Sequence, residues 1–395
     1  MTATIKNKVT SLSCSDNAIR YSTEEDTFFD TLDMVVEDTV YHDISSKDVR
    51  ILGLTEGPLF VGDNRKAAKI PENISDEAVL ETASMNGSRF AVLYRKEGLE
   101  ETGSLLSPAA SASLVNKLGC ACPAWSKLPL HKKEEWVDDA IKACPKKELF
   151  LIERNGKIRG VASNRYNVVP QNKVLNIVRE YLNENFEDVE FRGGTITHEL
   201  TSCSWAINDE KLLKKYKTFL HSNGFVNLDD AVIEVSADTS DTTDAACKVD
   251  ISITDVNQGF EMLLGSPVSM AHLKNASGEA WKRSIAGIGH HIDDFTTMLT
   301  RLGGIKIYYP LHCFSNIAIS AGLSNKQVSD VLDSAEDLLE YTDDYSAHDV
   351  YFLLFSMLSA LKKDIAPATY VKVYENLSRC LHPAFDWTAY DVKKA

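Results

Sequence analysis

Residues 148–172 contain the feature that most constrains the fold, two apolar runs on either side of Asn155-Gly156. This dipeptide readily adopts the positive φ angles of a type I′ turn, which joins two antiparallel strands through a two-residue loop. The sequence therefore predicts a β-hairpin with strands at residues 149–152 and 158–162. Pro170 then suits the first turn of a following helix, because no backbone N–H is needed at that position.

Pairing across this turn divides the hairpin into two unlike faces. If the two loop residues are as predicted, Ile152 faces Arg159, and directly opposed residues point to the same side of a sheet. One side is then basic toward its tip, and its members are Phe150, Ile152, Arg154, Lys157, Arg159, Val161, Ser163 and Arg165. The other side is predicted to be core, and its members are Leu149, Leu151, Glu153, Ile158, Gly160, Ala162, Asn164 and Tyr166.

The basic side is a candidate surface for single-stranded nucleic acid. Its cations would project together with an adjacent aromatic ring as a stacking platform, and the residues concerned are Arg154, Lys157, Arg159, Arg165 and Tyr166. The alternative is a sheet edge that is protected from aggregation by charge. The formal net charge of -15 argues against a general nucleic-acid coat, so binding would depend on this local patch.

The 395 residues exceed the usual size of a single core, so two or three packed units are expected. Strand patterns dominate the middle of the chain and helical patterns its end, which predicts an α+β fold with a mixed or antiparallel sheet built on hairpins. We expect an N-terminal α+β region with flexible first residues (1–100), a central α+β core (101–276) and a C-terminal helical bundle (277–395). The segment VYFLLFSMLSAL is apolar nearly all round and predicts the centre of that bundle.

Several elements have clear end signals. Ser107 followed by Pro108 predicts a helix start, and Gly119 predicts its end. A second hairpin is predicted to turn at Gly193-Gly194. A long helix is predicted over residues 278–302, and it would carry His290, His291 and Asp294.

This last group is the most metal-like cluster in the sequence. On a helix, His290 and Asp294 are four residues apart and share a face, which suits two ligands of a divalent metal. A site needs three or four ligands, and no second pair of this kind completes one, so a polar helix face is the favoured interpretation. No other cofactor is predicted. The eight cysteines form no CxxC pair and are typical of reduced thiols in a cytosolic protein.

Four stretches occur in an order that resembles a family of phage- and plasmid-borne proteins, the domain of unknown function family 932. They are LSPAASASLVNKLGCACPAWSKLP, ELFLIERNGKIRGVASNRYNVVPQNKVL, VIEVSADTSDTTDAACKVDISI and EMLLGSPVSMAHLKNAS. Two positions depart from the family pattern. Asn164 stands where an aspartate is common, and the family's Ser-Asp-x-Gly turn lacks its glycine at Ser240-Asp241-Thr242 or Ser236-Ala237-Asp238. The resemblance implies a mobile-element protein and no particular catalytic residue.

Three functional hypotheses follow. The leading one is a non-enzymatic accessory of nucleic-acid metabolism that binds or anneals single strands through the basic hairpin. An alternative is an assembly or host-interaction protein, such as a defence antagonist, that contacts itself or a host protein through the acidic helix SDVLDSAEDLLEYTDDY. A second alternative is a metal-dependent enzyme that uses His290, His291 and Asp294. Neither a signal peptide nor a membrane-spanning run is visible, so the cytoplasm of a bacterial host is expected.

Overall fold

A computed structural model gives the structure of the chain. It describes residues 20–54, 89–95, 101–144, 147–154, 157–197, 200–208, 210–211, 213–214, 218, 232–242, 246–255, 260–264, 267–272, 275–288, 297–298, 300–338, 344–361, 365 and 367–393. The predicted flexible start of the chain and the turn at Asn155-Gly156 lie outside these residues.

A six-stranded sheet, called the small sheet here, contains the predicted hairpin. Its strands are β2 (Thr39–Ser45), β3 (Val49–Leu54), β4 (Arg89–Arg95), β5 (Glu101–Leu106), β6 (Glu148–Arg154) and β7 (Lys157–Ser163). They lie in the order β2-β6-β7-β5-β4-β3, and β5 with β7 is the parallel pair among antiparallel neighbours. Two connections in the sheet, from β2 to β3 and from β5 to β6, therefore join strands that are not neighbours, and the other connections are hairpins.

Two helices cover one face of the small sheet, α2 (Pro108–Leu118) and α3 (Leu130–Ala143). The Ser107 hydroxyl accepts a hydrogen bond from the backbone N–H of Ala110, and Gly119 ends α2 with a φ of 74° in the left-handed region. Both predicted ends of this helix are thereby confirmed. Leu106, Leu114 and Val115 join Leu149 and Leu151 of the hairpin in a separate hydrophobic cluster.

A seven-stranded sheet, called the large sheet here, is the second layer. Its strands are β1 (Arg20–Ser22), β8 (Val189–Ile196), β9 (Thr201–Ile207), β10 (Val232–Thr239), β11 (Cys247–Asp255), β12 (Phe260–Leu263) and β13 (Val268–Met270). The order is β1-β8-β9-β10-β11-β12, with β13 also paired to β11, and all these pairs are antiparallel.

Helices lie on both sides of the large sheet. One face packs against α1 (Glu25–Glu37) and α4 (Gln171–Asn185), and α5 (Gly278–Ile285) packs beside α4. The C-terminal helices are α6 (Pro310–Ala321), α7 (Asn325–Leu338), α8 (Ala347–Leu361) and α9 (Pro367–Ser378). Helix α8 packs beside β12, where the Tyr351 hydroxyl donates to the Leu263 carbonyl oxygen at 2.8 Å. The apolar segment predicted as the centre of the bundle lies in α8, and most of its residues are buried.

The predicted α+β class with antiparallel sheets is confirmed. The predicted division into three units stays a prediction. The small sheet extends across residue 100, and one hydrophobic cluster contains both Phe28 of α1 and Trp387 near the chain end. The predicted all-helical end also contains a short strand pair, β14 (Lys306–Ile307) with β15 (Tyr345–Ser346). Among the described residues, no helix combines the length and the apolar character that crossing a membrane requires.

The second predicted hairpin exists, but its predicted turn is wrong. Gly193 and Gly194 lie inside β8, next to a β-bulge after Phe191, and the chain reverses between Thr197 and Leu200. A β-carbon on Gly194 would meet the Phe28 ring at 2.4 Å. Gly194 therefore does not form a turn. Because it has no side chain, Phe28 of α1 can pack directly against the sheet at this position.

Candidate functional site

The predicted hairpin is present, but its register differs from the prediction. Arg154 pairs with Lys157 and Glu153 with Ile158, as expected for a two-residue loop, whereas Ile152 pairs with Gly160. Arg159 is the extra residue of a β-bulge, so it does not face Ile152. The predicted assignment of β7 residues to the two faces is therefore wrong beyond the second pair.

Three of the four cations on the candidate basic side are buried. Arg154 and Arg159 are each 1% exposed and Lys157 is 5% exposed. Arg165 is exposed and Tyr166 is half-buried. Binding of single-stranded nucleic acid stays a prediction, without the continuous surface that motivated it.

Arg154 instead belongs to a buried polar group that joins the two sheets, called the inter-sheet cluster here. Its guanidinium donates from Nη2 to Asp241 Oδ2 at 2.6 Å and from Nε to Thr39 Oγ1 at 2.9 Å. Gln171 donates to the second oxygen of Asp241 at 2.8 Å and accepts from the Thr201 hydroxyl at 2.6 Å. All five side chains are less than a tenth exposed.

We assign the inter-sheet cluster a structural role, because all five side chains are buried and both oxygens of the carboxylate are satisfied. Within the described part of the chain, Arg154 Nη1 is its one atom without a hydrogen-bond partner. It brings together two of the stretches on which the family resemblance rests. Asp241 lies in the Ser240-Asp241-Thr242 segment after β10, and the Tyr166 hydroxyl donates to its carbonyl oxygen at 3.0 Å. Membership of that family stays a prediction.

The close contact beside the cluster gives a testable prediction. A β-carbon on Gly160 would lie 2.5 Å from the Thr242 carbonyl oxygen and under 3 Å from two further backbone atoms of Thr242. We expect Gly160→Ala to lower the free energy of unfolding by about 1–3 kcal/mol, because backbone rather than a flexible side chain must move. Urea unfolding measures the change. Gly304→Ala is the matched control, since its nearest neighbour would be at 3.4 Å and the site is exposed; an equal loss in both variants would contradict the prediction.

A cysteine and a histidine next to the cluster have the residue types of a nucleophilic pair. Cys247 Sγ lies 3.3 Å from His272 Nε2, and the Tyr166 ring stacks on the imidazole with centroids 5.3 Å apart. Burial raises the pKa of the Cys247 thiol to about 11 and lowers the pKa of His272. Both groups are therefore neutral near pH 7, and the pair lacks the thiolate that nucleophilic chemistry requires.

A polar groove on the large sheet is the second candidate, and the sequence analysis missed it. Strand registers place two rows of side chains on one face, since directly opposed residues point the same way. The first row is Gly193, Ser204, Ser236 and Asp250; the second is Tyr21, Thr195, Ser202, Asp238 and Lys248. Together with Arg192 and two tyrosines of α9 they line a space of about 670 Å³. That volume is within the range of small-molecule sites.

Helix α9 forms one wall of the groove. The rings of Tyr370 and Tyr374 stack with centroids 5.9 Å apart and an interplanar angle of 20°. One residue further along, Glu375 Oε1 lies 3.0 Å from Lys248 Nζ. An ion pair thus ties this wall to the floor of the groove.

The floor contains a nearly buried ion pair. Lys248 Nζ lies 2.8 Å from Asp250 Oδ2, and the two side chains are 14% and 10% exposed. Burial raises the pKa of Asp250 to about 6; repulsion from Asp238 and Glu375 adds to this effect, and Lys248 opposes it. Burial alone would lower the pKa of Lys248, but the two carboxylates outweigh it and hold that pKa above its ordinary value.

One atom of this floor is unsatisfied. Within the described part of the chain, Asp250 Oδ1 is buried and has no hydrogen-bond partner. A buried polar atom in this state costs about 1–3 kcal/mol. Asp250 Oδ1 is out of contact with solvent in this conformation, so a donor on a ligand would reach it only after the side chain or the groove around it moves.

The predicted metal ligands cannot be placed, because His290, His291 and Asp294 lie outside the described residues. Within the described ranges, no three His, Cys, Asp or Glu side chains are grouped so that they could hold a metal ion. Comparison with protein-family models, with curated proteins and with solved structures found no match to this chain.

Proposed function

We propose that the protein binds a small polar organic molecule in the groove between the large sheet and α9. The observation that carries the proposal is the state of Asp250. This acid is nearly buried in the floor of an accessible space, and one of its oxygens has no hydrogen-bond partner. Ionisable groups with perturbed pKa values in a cleft are typical of functional sites. The four hydroxyl side chains of the floor supply further donors and acceptors, and they are Thr195, Ser202, Ser204 and Ser236.

The sheet supports this function by holding the polar groups in fixed positions. Cys203, Trp205, Val235, Ala237 and Val249 alternate with the groove residues and are buried in the core. Movement of the floor would therefore disturb the core behind it. A floor that is already ordered reduces the entropy cost of ligand binding.

A thermal-shift screen against a library of polar metabolites tests the proposal. Compounds that bind the groove should raise the unfolding temperature of the natural protein and not that of Ser204→Trp, because an indole at this floor position fills the space. Leu200→Trp is the matched control, since Leu200 is an exposed residue in the turn between β8 and β9. Compounds that stabilise all three proteins equally, or no stabilising compound at all, would refute the proposal.

A further inference from the structure

The charges around the groove are unbalanced. Among the described residues of the floor and of α9, three carboxylates, those of Asp238, Asp250 and Glu375, lie near one ammonium group, that of Lys248. Arg192 at the rim is 38% exposed on its side chain and lies 3.5 Å from Glu190, so it adds little positive charge to the floor. The floor therefore has a surplus of negative charge once both aspartates are ionised.

This surplus disfavours anions. Lys248 already contacts two carboxylates within 3.0 Å, and a phosphate or a ligand carboxylate would have to compete with both. It would also approach the unsatisfied oxygen of Asp250, which can accept a hydrogen bond but has no proton to donate when ionised. A ligand that carries donors and positive charge meets neither difficulty.

The tyrosines favour the same class of ligand. Tyr370 and Tyr374 line one side of the groove, and Tyr21, which is 66% exposed, lies at the β1 end of the second floor row. Aromatic faces carry partial negative charge and attract organic cations within about 6 Å of the ring centre. The space thus has carboxylates on its floor and aromatic rings at its sides.

We infer that the ligand of the groove is an organic cation, with an ammonium or guanidinium group that lies against the Asp250 carboxylate in the space that the tyrosines also line. This inference rests on the proposed function and specifies its ligand class. The charged groups that act on Asp250 are Lys248 on its own strand, Asp238 on β10 and Glu375 on α9. The other charged or titratable side chains that line the groove are Arg192 on β8, Tyr21 on β1, and Tyr370 and Tyr374 on α9.

Matched pairs of probes test the inference, because each cation can be compared with a neutral molecule of the same shape. The pairs are butylammonium with butanol, butylguanidinium with butylurea, and choline with its uncharged carbon isostere; inorganic phosphate and calcium ions are the other probes. Saturation-transfer NMR titrations at low salt measure binding to the full chain. At about pH 7.5 we expect at least one cation to bind about tenfold more tightly than its neutral mate.

Two variants and a change of pH give further readouts. In Asp250→Asn the cation should bind no better than its neutral mate. Lowering the pH to about 5 should weaken cation binding by about tenfold, because a carboxyl group with a pKa of about 6 is then about nine-tenths protonated. Glu375→Gln alters a half-exposed side chain and should reduce the cation preference by a few fold even if Asp250→Asn does not fold.

Different outcomes separate this inference from the proposed function. If neutral mates or phosphate bind as tightly as the cations and Ser204→Trp abolishes that binding, the groove is a ligand site but the cation inference is wrong. Calcium binding without organic-cation binding would overturn it as well. If none of these probes binds, the cation inference falls, while the metabolite screen decides the proposed function separately.

Discussion

Asp241→Ala should lower the free energy of unfolding by about 3–5 kcal/mol, the largest effect we expect from a single substitution. The variant leaves the Arg154 guanidinium buried without its carboxylate partner, and it also removes the acceptor of Gln171. A desolvated cation with no counter-charge is far costlier than the loss of an ordinary hydrogen bond. Urea unfolding followed by circular dichroism gives the free energy directly.

The double variant Arg154→Met with Asp241→Leu separates this cause from simple loss of contact. Replacing both charges with apolar side chains leaves no uncompensated ion. The double variant should therefore lose less free energy of unfolding than Asp241→Ala alone. Asp139→Ala, in an ion pair whose side chains are 75% and 80% exposed, is the surface control and should leave the unfolding midpoint unchanged. A double variant as unstable as the single one would show that the buried charge is not the cause.

Mild acid should destabilise the protein through His348, which lies in α8 and is 1% exposed. Burial lowers the pKa of this imidazole from 6.5 to about 3. The unfolded chain therefore takes up the proton first as pH falls. The contribution of neutral His348 to the free energy of unfolding is fully present above pH 6.5 and is lost progressively as the pH falls toward 3. The total change in this free energy is about 4–5 kcal/mol.

Comparison of the natural protein with His348→Leu isolates this effect. Asp250 has a raised pKa and acts in the opposite direction, because its folded form gains stability as pH falls through about 6. That contribution is present in both proteins and cancels in their difference. Urea unfolding at several pH values measures how the free energy of unfolding depends on pH. Below about pH 6.5 this free energy should fall less steeply for His348→Leu than for the natural protein. His131→Leu, at an exposed position of α3, should follow the natural protein. The same pH dependence of the free energy of unfolding in all three proteins would contradict the role of His348.

The helix ends and the hairpin could be predicted because their signals are local. Ser107, Pro108 and Gly119 specify α2 through residues that are adjacent or nearly so. The pairing of Arg154 with Lys157 likewise depends only on the two residues between them. The bulge at Arg159 has no comparable local signal, and a shift of one residue moves every later side chain to the other face of the strand.

The burial of the basic residues could not be predicted in this way. Arg154 is buried because Asp241 neutralises it, and the two are 87 residues apart in the chain. A charged residue on an apolar strand is usually exposed, so the sequence alone favoured a surface. The groove has a partial signal, since polar residues alternate at 202 and 204, at 236 and 238, and at 248 and 250. That pattern predicts a polar face, but only the strand registers show that the three pairs are neighbours.

The order of the strands also has a consequence for folding during synthesis. Strand β1 and helix α1 precede the whole small sheet in the chain, yet Ser22 pairs with Gly194 of β8. The small sheet can therefore form its own hydrophobic core on the ribosome. At that stage the large-sheet residues that pack against the apolar face of α1, which includes Phe28 and Leu32, have not yet been synthesised. Strand β1 and helix α1 are thus made before their partners but dock late. Strand β1 completes an edge of the large sheet only after the chain beyond residue 189 has emerged.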